Sequence, residues 1–246
     1  MNEISFVEHL EELRTTLIRC LIILFVGFFL AYAVGDEISE LLLTPLREVL
    51  SGENKGKIVY LGLLDKVLSQ LQVAFWSSIL LTSPFWFREI WKFIKPGLYD
   101  HELKAVRPFI IIGFILFCLG ISFGYFIVFP FFFETLTNFG VANVEATIGL
   151  KDYLVLASKV LVFLGLMFQV PNALLILGFM GMVTKQSLRS WRRYVYVGMA
   201  VAAAVITPPD VITLLGVWIP LIFLYELGIL GVALIVHPYL AKKWSE

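Results

Sequence analysis

The sequence predicts an all-α integral membrane protein with six transmembrane helices, both termini in the cytosol and a concave overall shape. Of its 246 residues, 59% are hydrophobic and only 15% are charged, whereas soluble domains are about 45–50% apolar and about 25% charged. A soluble fold could not bury this much apolar surface. The chain is therefore predicted to be a single membrane domain that spans residues 1–246.

Six apolar stretches are predicted to cross the membrane, since a core about 30 Å thick needs roughly 20 residues of helix. They lie at about 15–34, 67–90, 105–130, 153–180, 194–206 and 211–236. The fifth has about 13 apolar residues, or roughly 20 Å of helix, which is shorter than the core. Short fifth and sixth helices beside a long fourth helix predict an uneven, concave bundle. The connection 35–65 is predicted to hold a short amphipathic helix broken at Thr44-Pro45.

Positive charge predicts the orientation of these spans. Thirteen of the 19 Lys and Arg residues lie in segments on the N-terminal side of the membrane, and four lie in the connections on the other side. The cytosolic loops of membrane proteins carry the excess of Lys and Arg. Both termini are therefore predicted to be cytosolic.

Composition disfavours several classes of function. A formal net charge of zero gives no electrostatic footprint for nucleic acid. Cys20 and Cys118 lie in apolar stretches without metal-binding spacing, so neither a metal nor a cofactor is expected. The histidines lie at span edges and form no intramembrane catalytic motif. The chain is therefore expected not to be an enzyme.

Two acidic residues stand out on the predicted cytosolic face. Glu12 lies near the start of the first helix, and Glu102 lies in the connection before the third. Neither has a Lys or Arg three or four residues away, where a helical ion pair would form. Such carboxylates can receive a positively charged ligand, or they can simply favour the positive end of a helix dipole. The spacing leaves both interpretations open.

Glu226, Lys159 and Gln169 are polar residues inside the predicted spans whose roles the sequence leaves open. Intramembrane ionisable residues are functional by default, but Glu226 and Lys159 can also reach toward the membrane interface. Gln169 is either a neutral hydrogen-bonding site for a polar segment or partner helix, or it satisfies a backbone carbonyl that Pro171 leaves without a donor.

Four motifs carry a resemblance to a known family. They are HLEELR at 9–14, FIKPGLYDHE at 93–102, QVPNALLILG at 169–178 and TPPD at 207–210. In this order, and over essentially the whole chain, they resemble TatC, the polytopic receptor subunit of the twin-arginine protein translocase. The resemblance implies a multi-pass protein, by default of a bacterial inner membrane, that binds signal peptides with two consecutive arginines. Its implied partners are membrane lipid and single-span TatA- and TatB-type proteins, in a complex of several copies that exports folded cargo with the proton-motive force.

The resemblance also assigns roles to individual residues. Glu12 and Glu102 match the acids that engage the arginine pair. A guanidinium can bind a carboxylate through two parallel hydrogen bonds, which lysine cannot form. Further positions that match the family are Arg14, Phe93, Pro45 and Asp210.

These matches have alternatives. Arg14 can pair with Glu11, and Phe93 can anchor the chain at the membrane interface. Asp210 can cap the sixth helix. The family usually has Glu where this chain has Gln169, which argues against proton relay at that site because glutamine does not titrate. A secondary transporter for a small solute is the alternative function, although no internal repeat supports it.

Overall fold

The structure is almost entirely helical. This computed structural model describes residues 6–50, 57–95, 108–138, 147–207 and 210–236. The helices are α1 (Phe6–Ala33), α2 (Gly35–Leu50), α3 (Asp65–Leu81), α4 (Ser83–Ile94), α5 (Pro108–Phe123), α6 (Phe129–Asn138), α7 (Leu150–Met167), α8 (Val170–Phe179), α9 (Lys185–Ile206) and α10 (Val211–Gly231). π-Helical turns at Gly124–Val128 and Val232–Val236 follow α5 and α10. Strands β1 (Lys57–Val59) and β2 (Thr147–Gly149) pair in parallel.

Four helical stretches in the described part of the chain are long and apolar enough to cross a membrane. They are Leu10–Ala33, Pro108–Thr135, Leu150–Phe179 and Val211–Val236. The last contains 26 residues, about 39 Å of helix, so the prediction of a short sixth helix is wrong. The predicted spans 67–90 and 194–206 are not among the four. The helix that contains the predicted fifth span does end at Ile206, as predicted.

A break at Thr82 divides the predicted span 67–90 into α3 and α4. Pro84 lies in the first turn of α4 and has no N–H, so it cannot donate to the carbonyl of Leu80. The hydroxyl of Ser83 donates to this carbonyl instead, at 2.7 Å. The Ser83 hydroxyl thus pairs with a backbone carbonyl that would be costly to leave without a hydrogen bond inside a membrane.

The helix α2 continues through Pro45, so the break predicted there is wrong. Pro45 cannot donate to the carbonyl of Leu41, and the hydroxyl of Tyr125 donates to that carbonyl at 2.8 Å. The hydroxyl of Tyr153 donates to the carbonyl of Leu42 at 2.5 Å. Two tyrosines from separate parts of the bundle therefore hold α2 in place, and Tyr125 supplies the donor that Pro45 lacks.

The helix α1 runs antiparallel to α3 and α4. Arg19 of α1 pairs with Glu89 of α4, and eight residues later Gly27 lies against Thr82. A Cβ atom on Gly27 would lie 2.3 Å from Cγ2 of Thr82. This contact places the N-terminal end of α1 beside the C-terminal end of α4.

An ion pair joins α3 to α7 next to the β1–β2 strands. Nζ of Lys151 donates to Oδ1 of Asp65 at 2.9 Å, and the amide of Gly62 donates to Oδ2 at 2.6 Å. The hydrogen bond from Lys151, together with the one from Gly62, holds the pKa of Asp65 below its ordinary value. The carboxylate form of Asp65 is therefore the form that the fold favours.

We expect Asp65→Asn to lower the melting temperature of the detergent-solubilised protein at pH 7. A carboxyl group whose pKa is depressed by folding stabilises the fold above its unfolded pKa, and this contribution is lost as the pH falls through the folded pKa. The difference between variant and parent should therefore shrink below about pH 4. Melting temperatures recorded between pH 3 and pH 7 measure this difference. Lys151→Ala should show the same dependence of melting temperature on pH. A difference that does not change with pH would contradict the assignment.

Candidate functional site

The predicted site residues Glu12 and Phe93 lie at the same end of the α1–α4 pair. Nη1 of Arg19 and Oε2 of Glu89 are 3.4 Å apart, which brings these two positions level. Glu12 precedes Arg19 by seven residues and Phe93 follows Glu89 by four, which is about 10 Å and about 6 Å of helix. Because the helices are antiparallel, both displacements run in the same direction. Both side chains are half-buried.

Glu89 is a buried carboxylate that the sequence did not single out. Its side chain is 10% exposed and accepts hydrogen bonds from Lys92 on its own helix and from Arg19 on α1. Arg19 itself is 54% exposed. The pair with Lys92 is visible in the sequence as i,i+3 spacing, whereas the pair with Arg19 is not. Glu89 thereby links α4 to α1 about two helical turns from Glu12.

Of the other two predicted binding residues, the structure describes Arg14 but not Glu102. Arg14 is exposed on α1, and within the described residues its side chain forms no ion pair with Glu11. Glu102 lies outside the described residues. The motif that contains Glu102 begins at Phe93, in the last turn of α4.

Gln169 lies in the break between α7 and α8 and contacts a different helix. Its Nε2 donates to the carbonyl of Gly113 on α5 at 2.9 Å. The interpretation that Gln169 satisfies a carbonyl freed by Pro171 is therefore wrong, because that carbonyl belongs to its own helix and the side chain is directed at α5. Oε1 of Gln169 and Oδ1 of Asn172 are buried, and neither has a hydrogen-bond partner among the described residues. The bundle thus holds a neutral polar site at this break.

Glu226 joins α10 to α9. One carboxylate oxygen accepts a hydrogen bond from Arg192, and the other accepts one from the hydroxyl of Tyr196 at 2.6 Å. Nε1 of Trp218 donates to the carbonyl of Tyr196 at 2.9 Å. Glu226 is therefore an interhelical ion-pair residue, a pairing that the sequence does not reveal.

Asp210 caps α10, as one interpretation of the sequence predicts. Its Oδ1 accepts a hydrogen bond from the amide of Thr213 at 2.8 Å, and Oδ2 accepts one from the hydroxyl of the same residue. Burial raises the pKa of Asp210, but the hydrogen bonds outweigh it and the pKa lies below its ordinary value. The charged form is the better cap because it faces the positive end of the helix.

Comparison with known proteins identifies the family. A family model described as Sec-independent protein translocase protein (TatC) matches residues 8–220. The chain belongs to the TatC family. It is therefore a component of the Sec-independent twin-arginine translocase and a multi-pass membrane protein. Membership of this family excludes the alternative function, a secondary transporter for a small solute.

Relatives of known sequence and a solved structure support the same family assignment. A TatC protein of Desulforapulum autotrophicum is 39% identical over 226 residues, which cover 92% of this chain and 83% of the relative. TatC of Escherichia coli K12 is 31% identical over 223 residues, 91% of this chain and 86% of the relative. A crystal structure described as the twin arginine translocase receptor TatC superposes with a TM-score of 0.83 and 30% identity, covering 92% of this chain and 99% of the other.

The motifs that resemble TatC fall at helix ends and breaks in the described part of the chain. Residues 9–14 lie in the first turns of α1, and 93–95 end α4 or follow it directly. The run that begins at Gln169 starts at the break before α8, and Asp210 begins α10. At such positions polar side chains reach free backbone groups, solvent or other helices.

Proposed function

We propose that this TatC chain is the signal-peptide receptor of its translocase. Glu12 and Glu102 bind the two consecutive arginines of a cargo signal peptide on the cytosolic face of the inner membrane. Several copies, with TatA- and TatB-type partners, then move the folded cargo by means of the proton-motive force. The observation that carries this proposal is the position of Glu12 at the same end of the bundle as Phe93, where the motif that contains Glu102 begins.

The chemistry of this end of the bundle suits a pair of guanidinium groups. A carboxylate accepts two parallel hydrogen bonds from arginine, whereas lysine offers only a point charge. Phe93 can present an aromatic ring to an arginine that Glu102 holds. Arg14 is exposed on the same turns of α1 as Glu12, and its match to the family includes it in the proposed site.

Six crossings with cytosolic termini are part of the proposal. The helices α3 and α4 together run from Asp65 to Ile94 across the break at Thr82 and supply one crossing. The apolar part of α9, residues 194–206, supplies another. It is about 20 Å long, so the membrane thins around it. With the four long apolar stretches, these give an even number of crossings, which puts both termini on the same side. The excess of Lys and Arg assigns that side to the cytosol.

Signal-peptide binding by single variants tests the site. We expect Glu12→Ala and Glu102→Ala each to weaken binding of a twin-arginine peptide to the detergent-solubilised chain by about 10- to 100-fold. Hydrogen bonds to charged groups contribute about 1.5–3 kcal/mol, and each 1.4 kcal/mol is a factor of about ten. Fluorescence anisotropy of a labelled peptide measures the dissociation constants.

Glu11→Ala is the matched control, because it removes an exposed carboxylate from the adjacent position of α1. It should change the affinity by less than about twofold, as expected for a charge that does not touch the ligand. Equal losses for Glu11→Ala and Glu12→Ala would show that only the overall negative charge of α1 matters, and would refute the proposed site.

A further inference from the structure

Lys159 is a cation exposed on an apolar helix. It lies in α7, inside the candidate span Leu150–Phe179. Among the described residues no carboxylate pairs with it, and its Nζ lies 6.0 Å from the ring centroid of Trp76 on α3. A cation–π contact offsets only part of the cost of holding a charged side chain in hydrocarbon.

The depth of Lys159 follows from the ion pair between Asp65 and Lys151, which brings the starts of α3 and α7 level. Lys159 lies eight residues beyond Lys151, about 12 Å along the helix, and Trp76 lies eleven residues beyond Asp65, about 16 Å. In a core about 30 Å thick, both side chains are near the middle. Because the backbone of Trp76 lies deeper than that of Lys159, the contact keeps the ammonium group away from the polar end of α7.

The surface around Lys159 is apolar and open. Phe75, whose ring meets Trp76 edge to face at 5.2 Å, and Leu166, two turns from Lys159 on α7, are both exposed. Lys159, Trp76, Phe75 and Leu166 form the Lys159 face, which combines exposed apolar side chains with one positive charge.

We propose that the Lys159 face docks a transmembrane helix of a partner protein that carries a carboxylate near the middle of its apolar stretch. Charge complementarity selects this occupant, since a carboxylate on an adjacent helix reaches mid-membrane depth and a lipid headgroup does not. The inference extends the partner-organising part of the proposed function. It does not involve Glu12 or Glu102, so its failure would leave signal-peptide binding standing.

Association with synthetic single-span peptides tests the proposal. The full chain, with a fluorescent donor, is reconstituted in phosphatidylcholine vesicles at pH 7.5 with acceptor-labelled leucine-rich peptides. One peptide has a central glutamate, the second a central glutamine, and the third a glutamate at the end of its span. We expect energy transfer to show at least tenfold tighter association for the first peptide than for the other two. Lys159→Met should abolish this preference, and Lys159→Arg should retain it.

Lys66→Met is the matched control, because Lys66 is an exposed cation near the start of α3. It should leave the preference unchanged. Equal association of the three peptides, or a preference that survives Lys159→Met, would overturn the proposal. Vesicles that also contain phosphatidylglycerol test whether Lys159 binds a lipid instead. If the preference for the glutamate peptide is lost in these vesicles, and phosphatidylglycerol is enriched around the parent protein but not around Lys159→Met, the proposal is overturned.

Discussion

Gly120→Ala is expected to lower the free energy of unfolding by about 3 kcal/mol, at the upper end of the usual cost of overpacking. A Cβ atom at this position would lie 2.7 Å from the carbonyl oxygen of Leu164 and 2.9 Å from Cα of Gly165. Both are backbone atoms of α7, so no side-chain rotation can relieve the contact. The two helices would have to separate, and the ring of Phe117, which is fully buried beside Gly165, would lose its packing.

Gly198→Ala is the control for this change. Gly198 also lies in a helix, but a Cβ atom there would meet nothing within 4 Å. It should leave stability unchanged or raise it slightly, because alanine favours helix over glycine. Unfolding of both variants in detergent, followed by circular dichroism, measures the difference. Equal stability of the two variants would contradict the close approach of α5 and α7.

Glu226→Ala is expected to have the second largest effect, lowering the free energy of unfolding by about 2 kcal/mol. The change leaves Arg192 without its ion-pair partner and the hydroxyl of Tyr196 without an acceptor. Removing one member of a shielded pair costs more than the pair contributes, since the other charge stays behind. Glu226→Gln keeps an acceptor for Tyr196 and should lose about half as much.

Glu40→Ala provides the comparison for Glu226→Ala. Glu40 pairs with Arg47 at 2.8 Å, but both side chains are more than half exposed, and exposed pairs contribute little. The melting temperature of Glu226→Ala should therefore be clearly lower than that of Glu40→Ala. If Glu40→Ala destabilised the protein as much as Glu226→Ala, the network between α9 and α10 would not be a stabilising contact.

Features that depend on neighbouring residues were predictable from the sequence. The first helix ends at Ala33, one residue before the predicted end of the first span at residue 34. Asp210 caps α10 because a short polar side chain at that position can reach the free amides of the first turn. The family itself followed from the resemblance of four short motifs, whose described residues lie at helix ends and breaks.

Contacts between distant residues were not predictable. The carbonyl freed by Pro45 is satisfied by Tyr125, which is 84 residues from its acceptor. Gln169 bonds a carbonyl 56 residues away rather than one on its own helix. In an apolar bundle many helix faces are equally hydrophobic, so periodicity does not show which helix a polar side chain will meet. The predicted orientation and the role of Glu102 rest on the sequence and the family, and they stay predictions.

The most direct test of the central claim compares two peptides on the unmodified, detergent-solubilised chain. One is a twin-arginine signal peptide, and the other differs only in having two lysines in place of the arginines. We predict that the twin-arginine peptide binds at least about tenfold more tightly, since two guanidinium groups form paired hydrogen bonds that ammonium groups cannot. Equal dissociation constants for the two peptides on a folded sample would contradict the assignment of this chain as the twin-arginine receptor.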